Sequence, residues 1–172
     1  FRTNNTTLDS ISLNKIFKYL INKGIENIIL EASSHGLQQN RLDDLKFNTS
    51  IFTNFSRDHL DYHKSYKNYL NAKLILFREL TKKGGFVISD KSINETKILK
   101  KISRKNKLKT IFLGKNADLE ILDIDKFKDL QLIKFKFKNK VYTFTTKLIG
   151  KTQIINLLMA VLAASKLINI SK

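Results

Sequence analysis

Short apolar runs alternate with helix-like patterns along the first two thirds of this chain, and that alternation limits the folds open to it. The strand-like runs cover residues 27–32, 49–53, 86–89 and 110–113. Helix-like spacing of apolar residues fills the gaps, from a start capped by Asp9 or Ser10 to a stop at Gly24, then over about 65–82 and 94–105. Strands that alternate with helices predict an α/β domain with a mostly parallel sheet flanked by helices.

The pattern changes in the last third of the chain. Residues 119–124, 131–137 and 141–146 alternate apolar and polar side chains and are separated by short polar turns. This spacing predicts a small antiparallel meander, followed by a final helix over about 152–167. Since there are no repeats and no linker rich in Gly, Pro or Ser, a single domain is the simplest expectation.

The formal net charge of +17 raises the possibility of nucleic-acid binding. Only five of the 32 basic residues are Arg, however, and specific base recognition favours Arg forks. We therefore expect no nucleic-acid partner, although a basic nucleic-acid-binding module stays open as an alternative. An acidic small substrate or a nucleotide also suits this charge.

The chain has no Cys, and its longest apolar run, 157–164, is shorter than a membrane span requires. Disulfides and thiolate metal sites are excluded, no membrane association is expected, and the cytoplasm is a compatible location.

A polar loop covers residues 31–41, directly after the first strand-like run. Glu31 lies within apolar sequence, where a carboxylate is costly unless it is paired or binds a metal. A hydrated position at the end of the strand is the alternative. Arg41 can hold a carboxylate or phosphate with two hydrogen bonds.

A second loop, 53–63, holds two of the three histidines together with two aspartates. Histidine and carboxylate together suit a divalent cation or acid–base chemistry, whereas a polar turn with a capping Asp is the simpler alternative. We favour His59 over His63 for contact with a metal or phosphate.

Lys73 stands among apolar residues of the long predicted helix. A lysine there most often extends its amine to water. Desolvation, in contrast, lowers the pKa of the amine and makes it nucleophilic enough to form a carbamate with carbon dioxide.

These segments resemble the motifs of the Mur ligases. Residues 31–37 read EASSHGL and resemble the family's E-x-S-S-H-x-L stretch, and 53–63 read TNFSRDHLDYH and resemble T-N-L-S-R-D-H-L-D-Y-H. Residues 69–77, YLNAKLILF, are similar to Y-x-x-A-K-x-x-L-F, and 150–158, GKTQIINLL, to G-x-x-N-x-x-N-L-L. Residues 5–7 are similar to a substrate loop. The matches run in family order, and the first two are specific to the branch that adds the third amino acid of the cell-wall peptide.

The resemblance implies a Rossmann-like, P-loop type ATPase domain and an ATP-dependent amide-bond ligase. Such an enzyme adds meso-diaminopimelate or L-lysine to UDP-N-acetylmuramoyl-L-alanyl-D-glutamate through an acyl phosphate, in peptidoglycan synthesis. The implied catalytic and magnesium-binding residues are Glu31, His59 and Lys73, the last as its carbamate. The implied substrate-binding residues are Asn5, Thr6, Thr7, Ser33, Gln39 and Arg41. Asn156 corresponds to an asparagine that contacts ATP.

The resemblance also implies a partial central domain that acts as part of a longer, monomeric protein. The N-terminal UDP-binding domain, the Gly-rich phosphate loop and the C-terminal domain are expected outside this chain, so the fragment alone is expected to be inactive. A sister Mur ligase or a folylpolyglutamate synthetase-like ligase is the alternative within the superfamily.

Overall fold

The computed structural model describes residues 6–167, which form two compact units. The first unit contains residues up to 47 together with 56–82. The second contains residues 48–55 and those from 83 onward. Across residues 6–167, none of the helices combines the length and the apolar character needed to cross a bilayer.

The first unit is built from helices joined by ordered loops. They are α1 (Ser10–Asn22), α2 (Ser34–Gln38), α3 (Leu60–His63), α4 (Tyr66–Ile75) and a π-helical turn (Leu76–Leu80). Of the two predicted capping residues it is Asp9 that caps α1, by accepting a hydrogen bond from the Ser12 amide. Gly24 follows the end of the helix with φ +74°, as predicted. The core of this unit consists of Leu13, Leu37, Leu42 and Leu80.

The second unit carries the six-stranded sheet. In chain order its strands are β1 (Phe47–Phe52), β2 (Thr81–Asp90), β3 (Lys109–Leu113), β4 (Leu119–Phe127), β5 (Leu130–Phe137) and β6 (Lys140–Thr146). They are also neighbours in that order. The pairs β2–β3 and β3–β4 are parallel, whereas β4–β5 and β5–β6 are antiparallel. The predicted α/β class and the antiparallel meander are both confirmed.

Two helices complete the second unit, α5 (Thr96–Lys105) and α6 (Lys151–Leu167). Buried residues of α6 pack with buried residues of the sheet in a single apolar cluster. Its fully buried members include Ile88, Ile133, Ile154 and Leu158. The predicted final helix is thus present and supplies one side of this core.

The strand predicted over residues 27–32 is wrong. Among the described residues this segment pairs with no strand, and Ile29 is 92% exposed. A strand is defined by a ladder of hydrogen bonds to a neighbour, and an apolar run by itself does not supply that neighbour. Glu31 is accordingly exposed rather than buried in apolar surroundings.

The helix predicted over 65–82 ends earlier than expected. Its last turn widens into the π-helical turn, and β2 begins at Thr81. The pair Gly84 and Gly85 predicts a break directly after this helix, but both residues lie inside β2. The amide of Gly84 donates to the Lys107 carbonyl at 2.9 Å. Glycine is a strong indicator of a break, but hydrogen bonding to a neighbouring segment decides where the break falls.

Candidate active site

Thr7 joins two segments of the first unit. Its buried hydroxyl donates to the Glu31 carbonyl at 2.8 Å and accepts from the Ser33 amide at 2.9 Å. A Cβ placed on Gly36 would lie 2.7 Å from the Thr7 Cβ, so there is no space for a side chain at that position. Thr7, Ser33 and the backbone of Glu31 are thereby held in fixed relation.

Arg41 extends this network to Gln39. One of its terminal nitrogens, Nη1, donates to the Thr7 carbonyl at 2.7 Å, and the other, Nη2, donates to the Gln39 Oε1 at 2.6 Å. The Gln39 Nε2 in turn donates to the Tyr62 hydroxyl at 2.9 Å. Four predicted substrate residues thus lie in one network: Thr7, Ser33, Gln39 and Arg41. Thr6 is exposed beside it, and Asn5 lies outside the described residues.

Aromatic rings form a cluster next to that network. The His35 ring lies 4.1 Å from the Tyr62 ring, 5.0 Å from that of His59 and 5.3 Å from that of His63, measured between centroids. Both His59 and His63 also contact Tyr69, at 5.8 and 5.1 Å. All three histidines of the chain are therefore gathered in one place, which the sequence did not predict.

Lys73 lies on α4 next to the ring cluster, with its Nζ 5.1 Å from the centroid of the Tyr69 ring. Burial lowers the pKa of the Lys73 ammonium below its ordinary value, while the negative charges of Asp58 and Glu31 act in the opposite sense. Of the two environments that the sequence leaves open for this lysine, the direction agrees with the desolvated one. The carboxylates of Asp58 and Glu31 therefore lie close enough to this amine to interact with it electrostatically.

His59 lies at the start of α3 in the left-handed region, with φ 52°, a conformation that is uncommon for residues other than glycine. Its backbone amide donates to Asp58 Oδ1 at 2.8 Å, and its Nε2 lies 3.5 Å from Asp58 Oδ2. Its side chain is 46% exposed. The ring is thus reachable from solvent and lies against a carboxylate.

His63, which the sequence favours less than His59 for contact with a metal or phosphate, is only 2% exposed. Its Nε2 lies 2.9 Å from the Ser34 hydroxyl, and its Nδ1 is buried without a hydrogen-bond partner among the described residues. Burial lowers the pKa of His63, and the neighbouring His35 and His59 lower it further, while Asp61 acts in the opposite sense. His63 therefore belongs to the packed wall of this cluster. The available sequence signal was its position in the 53–63 loop, four residues after His59.

The predicted metal ligands do not form a complete site by themselves. Within residues 6–167, no three His, Cys, Asp or Glu side chains are placed to hold one ion. The predicted ATP contact, Asn156, lies on α6 in the second unit, and its side-chain oxygen is buried without a hydrogen-bond partner in the described part of the chain.

Comparison with known proteins shows the family to which this α/β chain belongs. The chain matches the Mur ligase middle domain over residues 1–164 and belongs to the Mur ligase family. It is 46% identical over 158 residues to the UDP-N-acetylmuramoyl-L-alanyl-D-glutamate–2,6-diaminopimelate ligase of Rickettsia montanensis, covering 92% of this chain and 33% of that protein. It is 45% identical to the ligase of the same name from Rickettsia bellii, covering 90% and 33%.

A solved structure gives the same relation. The structure of a UDP-N-acetylmuramoyl-L-alanyl-D-glutamate–2,6-diaminopimelate ligase superimposes with a TM-score of 0.84 at 26% identity. The match covers 92% of this chain and 33% of that one. The chain thus spans about a third of the length of the relatives it matches.

Proposed function

We propose that this chain is the central domain of a cytoplasmic, ATP-dependent ligase that attaches 2,6-diaminopimelate to UDP-N-acetylmuramoyl-L-alanyl-D-glutamate in peptidoglycan synthesis. The observation that carries the proposal is the juxtaposition, in one unit, of the Thr7–Arg41–Gln39 network with a partly buried lysine of lowered pKa. The choice of diaminopimelate over lysine comes from the names of the relatives described above.

The network is suited to an acidic substrate. A guanidinium has five N–H groups, and the described residues use only two of those on Arg41. The remaining donors can bind carboxylate or phosphate oxygens of the muramoyl dipeptide. The same segments of the chain carry four further residues that are proposed to contact this substrate, namely Ser33, Thr7, Thr6 and Asn5.

Lys73 is proposed to react with carbon dioxide. The neutral amine attacks the carbon, so that an N–C bond forms while the electron pair of one C=O π bond moves to its oxygen. The nitrogen then releases a proton to water, which gives a carbamate anion. Burial favours the neutral amine on which this reaction depends. Packing of the side chain over the Tyr69 ring limits where the carbamate oxygens can lie.

The residues present fit a magnesium ion bound in its usual manner. Mg²⁺ keeps several waters and takes one or two protein oxygens together with phosphate oxygens, so a full cage of protein ligands is not required. The exposed Glu31 carboxylate and a carbamate on Lys73 are proposed to supply these oxygens, and the accessible His59 is proposed to contact the metal or its phosphate. Bound magnesium would supply positive charge that neutralises the phosphate oxygens during phosphoryl transfer.

The proposed reaction proceeds in two steps. A carboxylate oxygen of the dipeptide attacks the γ-phosphorus of ATP and ADP leaves, which gives an acyl phosphate. The amine of diaminopimelate then attacks the acyl carbon, loses a proton, and inorganic phosphate leaves. Arg41 and its network hold the dipeptide in place so that its carboxylate keeps one orientation throughout both steps.

Asn156 is proposed to contact the nucleotide, because its buried side-chain oxygen is available to accept a hydrogen bond. The phosphate loop, the UDP-binding domain and the C-terminal domain of such a ligase are proposed to lie outside this chain. The 33% coverage of the relatives supports that division.

The test is an assay of ADP release by the full-length protein that carries this chain. With UDP-N-acetylmuramoyl-L-alanyl-D-glutamate and ATP present, release should depend on diaminopimelate. Lys73→Ala should lower the rate on the order of 100-fold, as loss of a charge-stabilising group does, and short carboxylic acids should partly restore it. Lys67→Ala, an exposed lysine on the same helix, is the matched control.

Two outcomes would count against the proposal. Unchanged activity in Lys73→Ala would rule out a functional carbamate on Lys73 but would leave the ligase assignment in place. If a folded wild-type protein turns over no amino acid, the assignment as a diaminopimelate-adding ligase is ruled out, and a sister ligase is favoured.

A further inference from the structure

The orientation of the Gln39 amide is fixed by chemistry. Arg41 can only donate hydrogen bonds, so the Gln39 atom 2.6 Å from its Nη2 must be the oxygen. The Gln39 nitrogen therefore faces Tyr62, 2.9 Å from its hydroxyl. Because that nitrogen is a donor, the Tyr62 oxygen acts as the acceptor.

This leaves the proton of the Tyr62 hydroxyl for another acceptor. Across residues 6–167 the hydroxyl makes no hydrogen bond other than the one it accepts from Gln39. The residue is 37% exposed, so a ligand can reach it. Its ring is fixed in place against His35 at 4.1 Å and His63 at 4.9 Å.

We infer that Tyr62 is a substrate-contacting residue whose hydroxyl donates a hydrogen bond to an anionic or carbonyl oxygen of the muramoyl dipeptide. The inference rests on the proposed function, since it assigns a further contact in the same site. The chain of hydrogen bonds Arg41–Gln39–Tyr62 leaves a donor available at each end, on the Arg41 guanidinium and on the Tyr62 hydroxyl. Both donors suit oxygens of an acidic peptide. Contact of the same ring with His35, which touches His59, places this donor beside the proposed metal ligand.

Tyr62→Phe in the full-length protein tests the inference, because it removes the hydroxyl and keeps the ring. The Kd for UDP-N-acetylmuramoyl-L-alanyl-D-glutamate, measured by calorimetry, should rise about 10-fold, the effect of one hydrogen bond to a charged or polar oxygen. The KM for ATP should stay unchanged and kcat should change less than about twofold. Tyr142→Phe is the matched control, since that half-exposed ring also stacks on a neighbour, Phe135, but in the second unit.

A double-mutant cycle separates contact from positioning. If Tyr62 touches the substrate, Tyr62→Phe should still weaken binding about threefold or more in a Gln39→Ala background. If the second substitution has no further effect there, Tyr62 only orients Gln39 and the inference is overturned. Equal Kd values for wild type and Tyr62→Phe also overturn it. Failure of the wild type to bind the dipeptide instead contradicts the proposed function, which keeps the two results distinct.

Discussion

At the residue scale, the close contact between Thr7 and Gly36 determines how the site is held. Thr7 is 3% exposed, and its hydroxyl joins the backbone of residue 31 to that of residue 33. Gly36 lies inside α2 with a backbone that any residue can adopt, so conformational freedom is not the reason for a glycine there. Lack of space is the reason, because the Thr7 side chain occupies the position of a Cβ.

We expect Gly36→Ala to destabilise the protein even though alanine is the better helix former. The added methyl would lie 2.7 Å from two Thr7 carbon atoms. Overpacking of this kind costs about 1–3 kcal/mol, which exceeds the gain in helix propensity of about 1 kcal/mol. Chemical denaturation measures the change in the free energy of unfolding.

Gln38→Ala, an exposed position in the same helix, serves as the control and should change stability by less than about 0.5 kcal/mol. A Gly36→Ala protein as stable as the wild type would show that Thr7 can move aside at little cost.

The amino-acid sequence predicted some residues of the site correctly and others not. Lys73 was recognised through the resemblance of residues 69–77 to a family motif, because its apolar neighbours at helical spacing are also compatible with an amine that reaches water. In the structure its pKa is lowered by burial. Glu31 was expected to be buried because its neighbours are apolar, yet the segment has no strand partner and Glu31 is exposed. Tyr62 was missed because an aromatic residue in a polar loop carries no signal until Gln39 is seen beside its hydroxyl.

At the scale of elements, α4 and the turns around it place Lys73 next to the ring cluster. The helix begins after Ser65, which has extended backbone angles and whose hydroxyl accepts from the Asn68 amide at 3.1 Å. It ends in the π-helical turn, after which the Thr81 hydroxyl donates to the Leu76 carbonyl at 2.8 Å. Since a π-helical turn adds a residue to the helical repeat, apolar spacing near the end of α4 does not reveal it.

The cap at Ser65 leads to a prediction for stability. Ser65→Ala should lower the free energy of unfolding by about 1 kcal/mol, because the Asn68 amide loses its acceptor. Thermal unfolding followed by circular dichroism provides the measurement.

Ser65→Asp should restore most of the loss, since an aspartate accepts the same hydrogen bond and its charge is favourable at a helix start. Equal stability of all three proteins would show that water replaces the cap without cost.

At the scale of the whole molecule, the second unit owes its stability to one apolar cluster that joins the sheet to α6. Leu158, Met159 and Ile154 on α6 are fully buried with Leu119 and Ile133 of the sheet. Burial of a leucine or isoleucine side chain contributes about 1.5–3 kcal/mol. The apolar runs over residues 49–53, 86–89 and 110–113 are therefore explained by this core, whereas the run over 27–32 is not part of it.

Leu158→Ala should destabilise the protein by about 2–5 kcal/mol, the cost of lost burial together with a cavity. Urea denaturation gives the change in the free energy of unfolding.

Val161→Ala removes apolar atoms from the same helix at a position that is 40% exposed, and it should cost less than about 1 kcal/mol. Similar losses for the two variants would contradict the assignment of Leu158 to the core.

The sequence by itself determined the α/β class, the antiparallel meander, the positions of most helices and strands, and the family, because periodicity and motif order are local properties of the chain. Tertiary structure decided the rest. It left residues 27–32 without a strand partner, ended α4 in a π-helical turn, and brought His35 against the loop that carries His59, Tyr62 and His63. Hydrogen-bond partners and ring contacts between residues far apart in the sequence depend on how the segments pack, and no local pattern encodes that packing.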